Sequence, residues 1–190
     1  MKRIFQAGEM FPIPDGTLVS PFLNPLDANQ NDLPAGLPPS LSMAAGQLNP
    51  GVQSKIHVHP FVSVVTWVVE GRLEVRMKGQ RDTAPYSLGV PRQHAVLTEA
   101  LTLFQLINSS ESEAVRVLYI VTPAYVFDLE GDKVIYDDAF VLDHTWNEIF
   151  EQNWSVSMLG SLPMLAERRQ LSLARIAKQR RAPQRSAPIS

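Results

Sequence analysis

The chain contains no cysteine, which excludes disulfides, thiolate metal sites and a cysteine nucleophile, so any metal must be held by nitrogen and oxygen. It also lacks a run approaching the roughly 18 consecutive apolar residues needed to cross a bilayer. The richest stretch, Phe61 to Val69, is strand-length and includes Ser63 and Thr66. No signal-peptide core follows Lys2 and Arg3, because Gly8, Glu9, Pro12 and Pro14 interrupt it. Net charge is small, at -2, so the whole molecule has no field that would recruit nucleic acid or an anionic membrane. These absences predict a soluble, cytoplasmic protein with neither as partner. What is present is 190 residues, 45% of them hydrophobic, enough for one packed domain with extensions and short for two.

Three textures divide the chain. Residues 1–50 are broken by prolines at 12, 14, 21, 25, 34, 38, 39 and 50, each removing a backbone donor and fixing a dihedral, which predicts an irregular arm with short edge strands or an active-site lid. Residues 51–142 hold β-branched and aliphatic runs, Val62 to Val69, Arg72 to Met77, Leu101 to Ile107 and Val115 to Val121, separated by Gly, Pro and Asn turns. Such spacing predicts an all-β barrel or sandwich, with a further hairpin over Phe127 to Val141 turning at Glu130-Gly131-Asp132. Residues 143–190 move toward helix, with Thr145 as cap of a short helix through Phe150 and a longer one from Pro163 to Arg181. Residues 161 to 190 carry seven basic residues and one acid, +6, leaving -8 on the rest. A charge run without interleaved aromatics predicts a solvated helix face or a subunit contact.

Four histidines are present. In His57-Val58-His59, strand alternation points both imidazoles one way, roughly 6 to 7 Å apart, close enough to share a metal ion. On residue types alone such a pair is more often incidental than metal-binding. His94 follows the turn Gly89-Val90-Pro91 and is placed to supply a third nitrogen from across a barrel. His144, at the start of the expected helix, reads as structural or surface.

In this spacing the chain resembles the cupin family. That family's first motif runs Gly, five residues, His-x-His, three or four residues, Glu, six residues, Gly, and here Gly51, His57, His59 and Gly71 match it. Gly89, Pro91 and His94 look like a rearranged second motif, with Thr98 where Asn is common. The two motifs span residues 51 to 98, and the strand pattern extends the likeness to about 126. One departure stands out: Ser63 and Val64 occupy the two positions where the glutamate belongs, and Glu70, Glu74 and Glu99 have no motif support.

The resemblance implies a cupin double-stranded β-helix, a jelly-roll barrel, binding one divalent metal through His57, His59 and His94, with Fe(II) first and Zn, Ni or Mn as alternatives. Without the carboxylate such a centre keeps its full charge and up to three open positions. This is similar to the three-histidine cupins that cleave diketones and oxidise thiols, and implies a mononuclear non-haem iron dioxygenase acting on a small enolisable or aromatic substrate. A non-redox isomerase, lyase or cyclase using the same metal is one alternative. A small-molecule-binding or sensor cupin without catalysis is the other. Gln105, between Phe104 and Leu106, is the candidate catalytic residue, since a buried amide needs partners. Arg72, Arg92, Gln93, Tyr119 and Tyr125 are further cavity candidates, and Trp67, Phe61 and Phe104 read as core. Unpaired edge strands and the extensions predict a homodimer, or a multiple of one, with the arm or the basic helix crossing to the partner.

Overall fold

The aliphatic runs between turn residues form antiparallel strands, as their composition predicts. The computed structural model describes residues 4–27 and 40–181. Its strands are β1 (Phe11–Pro12), β2 (Leu18–Leu23), β3 (Ser42–Leu48), β4 (Ile56–Val58), β5 (Ser63–Glu70), β6 (Arg72–Lys78), β7 (Tyr86–Pro91), β8 (Ala95–Thr98), β9 (Leu103–Ile107), β10 (Val115–Thr122), β11 (Phe127–Glu130), β12 (Lys133–Asp137) and β13 (Phe140–Leu142). One sheet has the order β1-β2-β3-β10-β5-β8, the other β13-β4-β9-β6-β7, and β11 with β12 makes a separate hairpin. Chain neighbours are repeatedly separated by a strand from elsewhere, β10 between β3 and β5 and β9 between β4 and β6. That crossing pattern is the double-stranded β-helix, the cupin jelly roll.

The boundary expected at residue 50 does not coincide with the barrel's. β3 lies inside the first sheet, between β2 and β10, with seven paired positions to β10, so the segment read as an arm supplies a central strand. The reason is local: Ser42 to Leu48 contains no proline, and the one proline inside β2, Pro21, sits where the β2–β3 register shifts, a bulge that tolerates a missing donor. Pro34, Pro38 and Pro39, part of the stretch expected to form an arm or a lid, lie outside the described residues.

Between the sheets Leu48, Val68, Val96 and Val117 meet Leu73, Val75, Met77, Phe104 and Leu106. This apolar plug fills one end of the barrel. At that end Gly71 turns β5 into β6 at φ 79°, where an added Cβ would meet the Ala114 carbonyl at 3.0 Å, so glycine is required both by backbone and by space. Trp67, expected in the core, instead stands on the outer face and is 40% exposed, because its neighbours Thr66 and Val68 take the inward positions of the strand.

The second sheet is also covered outside. Helix α1 (Trp146–Glu151) begins with a capping box in which the Thr145 hydroxyl accepts from the Glu148 amide and the Glu148 carboxylate accepts from the Thr145 amide. It lays Trp146 and Ile149 on Ile56, Val58, Leu103 and Leu142, so β4 is buried on both faces. Helix α2 (Leu162–Arg181) packs Ile176 against Val126 and Tyr136. Its basic character is partly turned inward: the Arg169 guanidinium donates to both Asp138 oxygens at 2.8 and 3.2 Å and to the Ala124 carbonyl at 3.0 Å, and Arg175 pairs with Asp128 and Glu130. Among the described residues no helix is long and apolar enough to cross a membrane.

Candidate acid–base site in the barrel

The barrel end opposite the apolar plug is polar. His57, in β4, points inward against Phe104, with ring centroids 3.9 Å apart, and His59 follows at 5.5 Å from His57. Both imidazoles are buried. His57 Nδ1 lies 2.9 Å from the Lys55 carbonyl. A carbonyl only accepts, so Nδ1 carries the proton and Nε2 holds the free lone pair. Nε2 faces the Asp15 carboxylate at 3.9 Å, beyond hydrogen-bonding reach but close enough to favour an imidazolium. Asp15 is itself fixed, since its other oxygen accepts from the Thr17 amide and hydroxyl at 2.8 Å each, and its carbonyl accepts from the Lys55 amide at 2.7 Å.

Two phenols complete the end. The Tyr119 ring crosses Gly46, where an added Cβ would sit 2.3 Å from a ring carbon. Tyr125 lies 5.9 Å from His59 by ring centroid, and its hydroxyl donates to Asp137. Electrostatics follow from burial. Desolvation holds His57 below its ordinary value against the opposing Asp15 charge and Lys55 carbonyl, and desolvation with the neighbouring His57 holds His59 well below. Burial first, then the Asp15 charge, raises the Tyr119 phenol despite Thr17. Burial, then the charge of Asp137, raises Tyr125. The Asp137 carboxyl is pushed up to about 6 by burial, against hydrogen bonds from Tyr125 and the Ala139 amide. Neutral imidazoles therefore face protonated phenols at neutral pH.

Of the expected metal ligands, His57 and His59 come together and His94 does not. The register explains this: Val64 pairs with Thr98 at the polar end, whereas the Val68 amide donates to the His94 carbonyl at 2.9 Å. Four residues of strand, about 13 Å, separate the two levels. His94 sits exposed on the β7–β8 turn with Nδ1 at 3.1 Å from the Arg92 carbonyl. Among the described residues no group of three His, Asp or Glu is arranged to hold a metal ion, so the three-histidine centre does not fit this donor set. Val64, at one of the positions lacking the glutamate, faces the polar end and packs with Val62 and Val121 beside Tyr119 and Tyr125.

Gln105 is bonded within the protein at both ends of its amide. Its amide nitrogen donates to the Ser54 carbonyl at 2.7 Å and its oxygen accepts from Trp146 Nε1 at 2.8 Å. It points outward to α1, because Phe104 takes the inward position, and it clamps the helix. Arg72 lies at the other end, in an open groove of about 510 Å³ with Glu74, Ser87 and Glu113. Arg92 and Gln93 are exposed in the turn with His94, and His144 is exposed ahead of α1. Sequence reasoning missed Asp15 and Asp137. Pro14-Asp15-Gly16 reads as a turn, and it is one, with Gly16 at φ 92°; nothing in its spacing points to His57.

No family model and no curated protein matches the chain. Solved structures do. Peruvianin-I, a cysteine peptidase from Thevetia peruviana latex, superposes with a TM-score of 0.51 at 13% identity, over 70% of each chain. CapF, solved with the inhibitor 3-isopropenyl-tropolone, gives 0.50 at 15% identity, over 72% of this chain and 34% of its own. KdgF from Halomonas sp. gives 0.48 at 14%, over 65% of this chain and 94% of its own. The likeness is one of fold. A cysteine-free chain has no cysteine nucleophile to share with a cysteine peptidase, and one barrel hosts unrelated chemistries.

Proposed function

We propose that this chain is a cupin-type enzyme that moves a proton on a small, neutral carbonyl compound, as an isomerase or lyase does, with His57 as base. The observation that carries this reading is the buried His57 imidazole, its Nδ1 proton committed to Lys55 and its Nε2 free beside Asp15. In the reaction Nε2 takes a proton from the carbon next to the carbonyl, and the Asp15 carboxylate stabilises the imidazolium that forms. The carbonyl oxygen, now carrying the electron pair of the broken C–H bond, accepts hydrogen bonds from the protonated phenols at this end of the barrel. Return of the proton to a different atom gives an isomer, and loss of a β-substituent with its electron pair gives a lyase product. A neutral substrate suits the surroundings. Lys55 is paired with Asp143 at 2.6 Å and Arg169 with Asp138, which leaves neither to balance an anion.

Iron-dependent oxygen chemistry is the second reading. It is favoured by one observation, that a His57 imidazole tied through Nδ1 to a carbonyl presents Nε2 as metal-ligating imidazoles do. It requires a third ligand other than His94. One experiment decides. Solvent deuterium incorporation into hydroxyacetone, acetylacetone and related carbonyls is followed by mass spectrometry, anaerobically and after chelation. The acid–base reading expects exchange under both conditions, falling about 100-fold or more in His57→Gln. Exchange that requires iron, oxygen consumption with acetylacetone, or no exchange with any compound overturns it.

A further inference from the structure

Two side-chain atoms at the polar end of the barrel are buried without any hydrogen-bond partner: His59 Nδ1 and Thr98 Oγ1. Their residues are 9% and 3% exposed. A buried hydroxyl or imidazole nitrogen left unpaired is costly, and native interiors rarely keep one without a use. Here two occur on different elements, linked through Val64 and Tyr125 at one level of the fold. β8 brings Thr98 opposite Val64, and directly paired residues share a face. On that face Val64 packs with Val121 beside Tyr119 and Tyr125, and Tyr125 lies against His59. The backbone closes the same level, since the Leu101 amide donates to the His59 carbonyl at 2.8 Å and the Ala100 amide to the Ser63 hydroxyl at 3.1 Å.

We infer that Thr98 and His59 form a recognition pair for the substrate, the Thr98 hydroxyl and His59 Nδ1 binding a hydroxyl group that neighbours the reacting carbonyl. The inference rests on the proposed proton transfer at His57 and adds to it a substrate class, the small hydroxycarbonyl compounds. A ligand hydroxyl suits the pair because it donates and accepts at once, as do a threonine hydroxyl and a neutral imidazole. A carboxylate suits it less, with Asp15 and Asp137 on the same end and the neighbouring cations already paired. Thr98 acts as a specificity residue. His57 is held by the Lys55 carbonyl on a different strand from Thr98, so removal of the Thr98 hydroxyl leaves the base in place.

The test uses the full-length protein and two substitutions, Thr98→Val, which keeps the shape and deletes the hydroxyl, and Thr98→Ser, which keeps the hydroxyl. Deuterium exchange is measured with hydroxyacetone and with acetone. With hydroxyacetone, kcat/KM should fall about tenfold in Thr98→Val, carried by KM, and recover in Thr98→Ser. With acetone, which has no hydroxyl to bind, the two proteins should not differ. Thermal melting gives a readout that needs no substrate: Thr98→Val should melt at the wild-type temperature or above, since an unpaired hydroxyl is removed. A Thr98→Val protein that exchanges hydroxyacetone as wild type does overturns the inference while leaving the proposed function standing. A marked drop in its melting temperature overturns the inference as well, because the hydroxyl is then already bonded within the protein. Wild-type protein that exchanges neither compound overturns the proposed function, and the recognition pair with it.

Discussion

Gly46 is the position where fold and site can be perturbed by one methyl group. Its φ is not in the left-handed region, so an alanine is compatible with the backbone and only space opposes it. A Cβ there would sit 2.3 and 2.8 Å from two Tyr119 ring carbons and 2.9 Å from a Val117 methyl, where carbon atoms at rest are about 3.5 to 4.0 Å apart. The ring must retreat by more than about 1 Å, yet it is packed between two apolar clusters. Overpacking of this kind costs about 1–3 kcal/mol. Gly46→Ala should therefore lose about 1–3 kcal/mol in urea unfolding, a melting temperature lower by roughly 2 to 12 °C for a domain of this size. The cost should fall by more than half in a Tyr119→Leu background, where the ring edge is gone. An alanine variant as stable as wild type, or one equally destabilised with and without Tyr119, would refute the reasoning.

Acid should weaken the fold through His59. The unfolded chain takes up a proton at this residue near 6.5 and the folded chain does not, so stability is full above that pH and lost as pH falls, at about 1.4 kcal/mol per unit. His59→Phe should flatten the melting-temperature profile between pH 6.5 and 5; an unchanged slope contradicts the assignment. Asp137 runs the other way, its contribution as a neutral group fading as pH rises from 3.8 to about 6, and Asp137→Asn should keep it at all pH. Arg169→Met strands a buried Asp138 and should cost about 3–5 kcal/mol in chemical denaturation; a loss below 1 would show the pair to be dispensable. Gln105→Leu should destabilise by about 1–3 kcal/mol by orphaning Trp146 Nε1 while leaving deuterium exchange per folded molecule intact. A catalytic Gln105 would give the opposite pattern.

The barrel was legible because its signals are local. Val62 to Val69 or Val115 to Val121 is apolar and strand-length, and Glu130-Gly131 turns where it should, with Gly131 at φ 61°. The Thr145 cap was legible for the same reason, a hydroxyl three residues ahead of Glu148. The His57–His59 alternation needed only one strand's geometry. What could not be read is register across strands. Nothing near His94 reveals that His94 meets Val68 while Thr98 pairs with Val64, and that register separates it from His59. β3 was hidden by its setting, a small-residue strand, Ser-Met-Ala-Ala-Gly-Gln-Leu, flanked by prolines. Asp15 was invisible because its role depends on a turn docking beside β4 through the Lys55 amide, a contact forty residues away in sequence.

The most direct measurement is the nitrogen chemistry of the histidines themselves, read by long-range proton–nitrogen NMR from pH 5 to 8 with and without hydroxyacetone. His57 should stay neutral at pH 7 with its proton on Nδ1, His59 should stay neutral across most of the range, and hydroxyacetone should shift both while leaving His94 and His144 unmoved. Resonances of His57 and His59 that titrate like free imidazoles, or a response to added Fe(II) shared by His57, His59 and His94, would contradict this prediction.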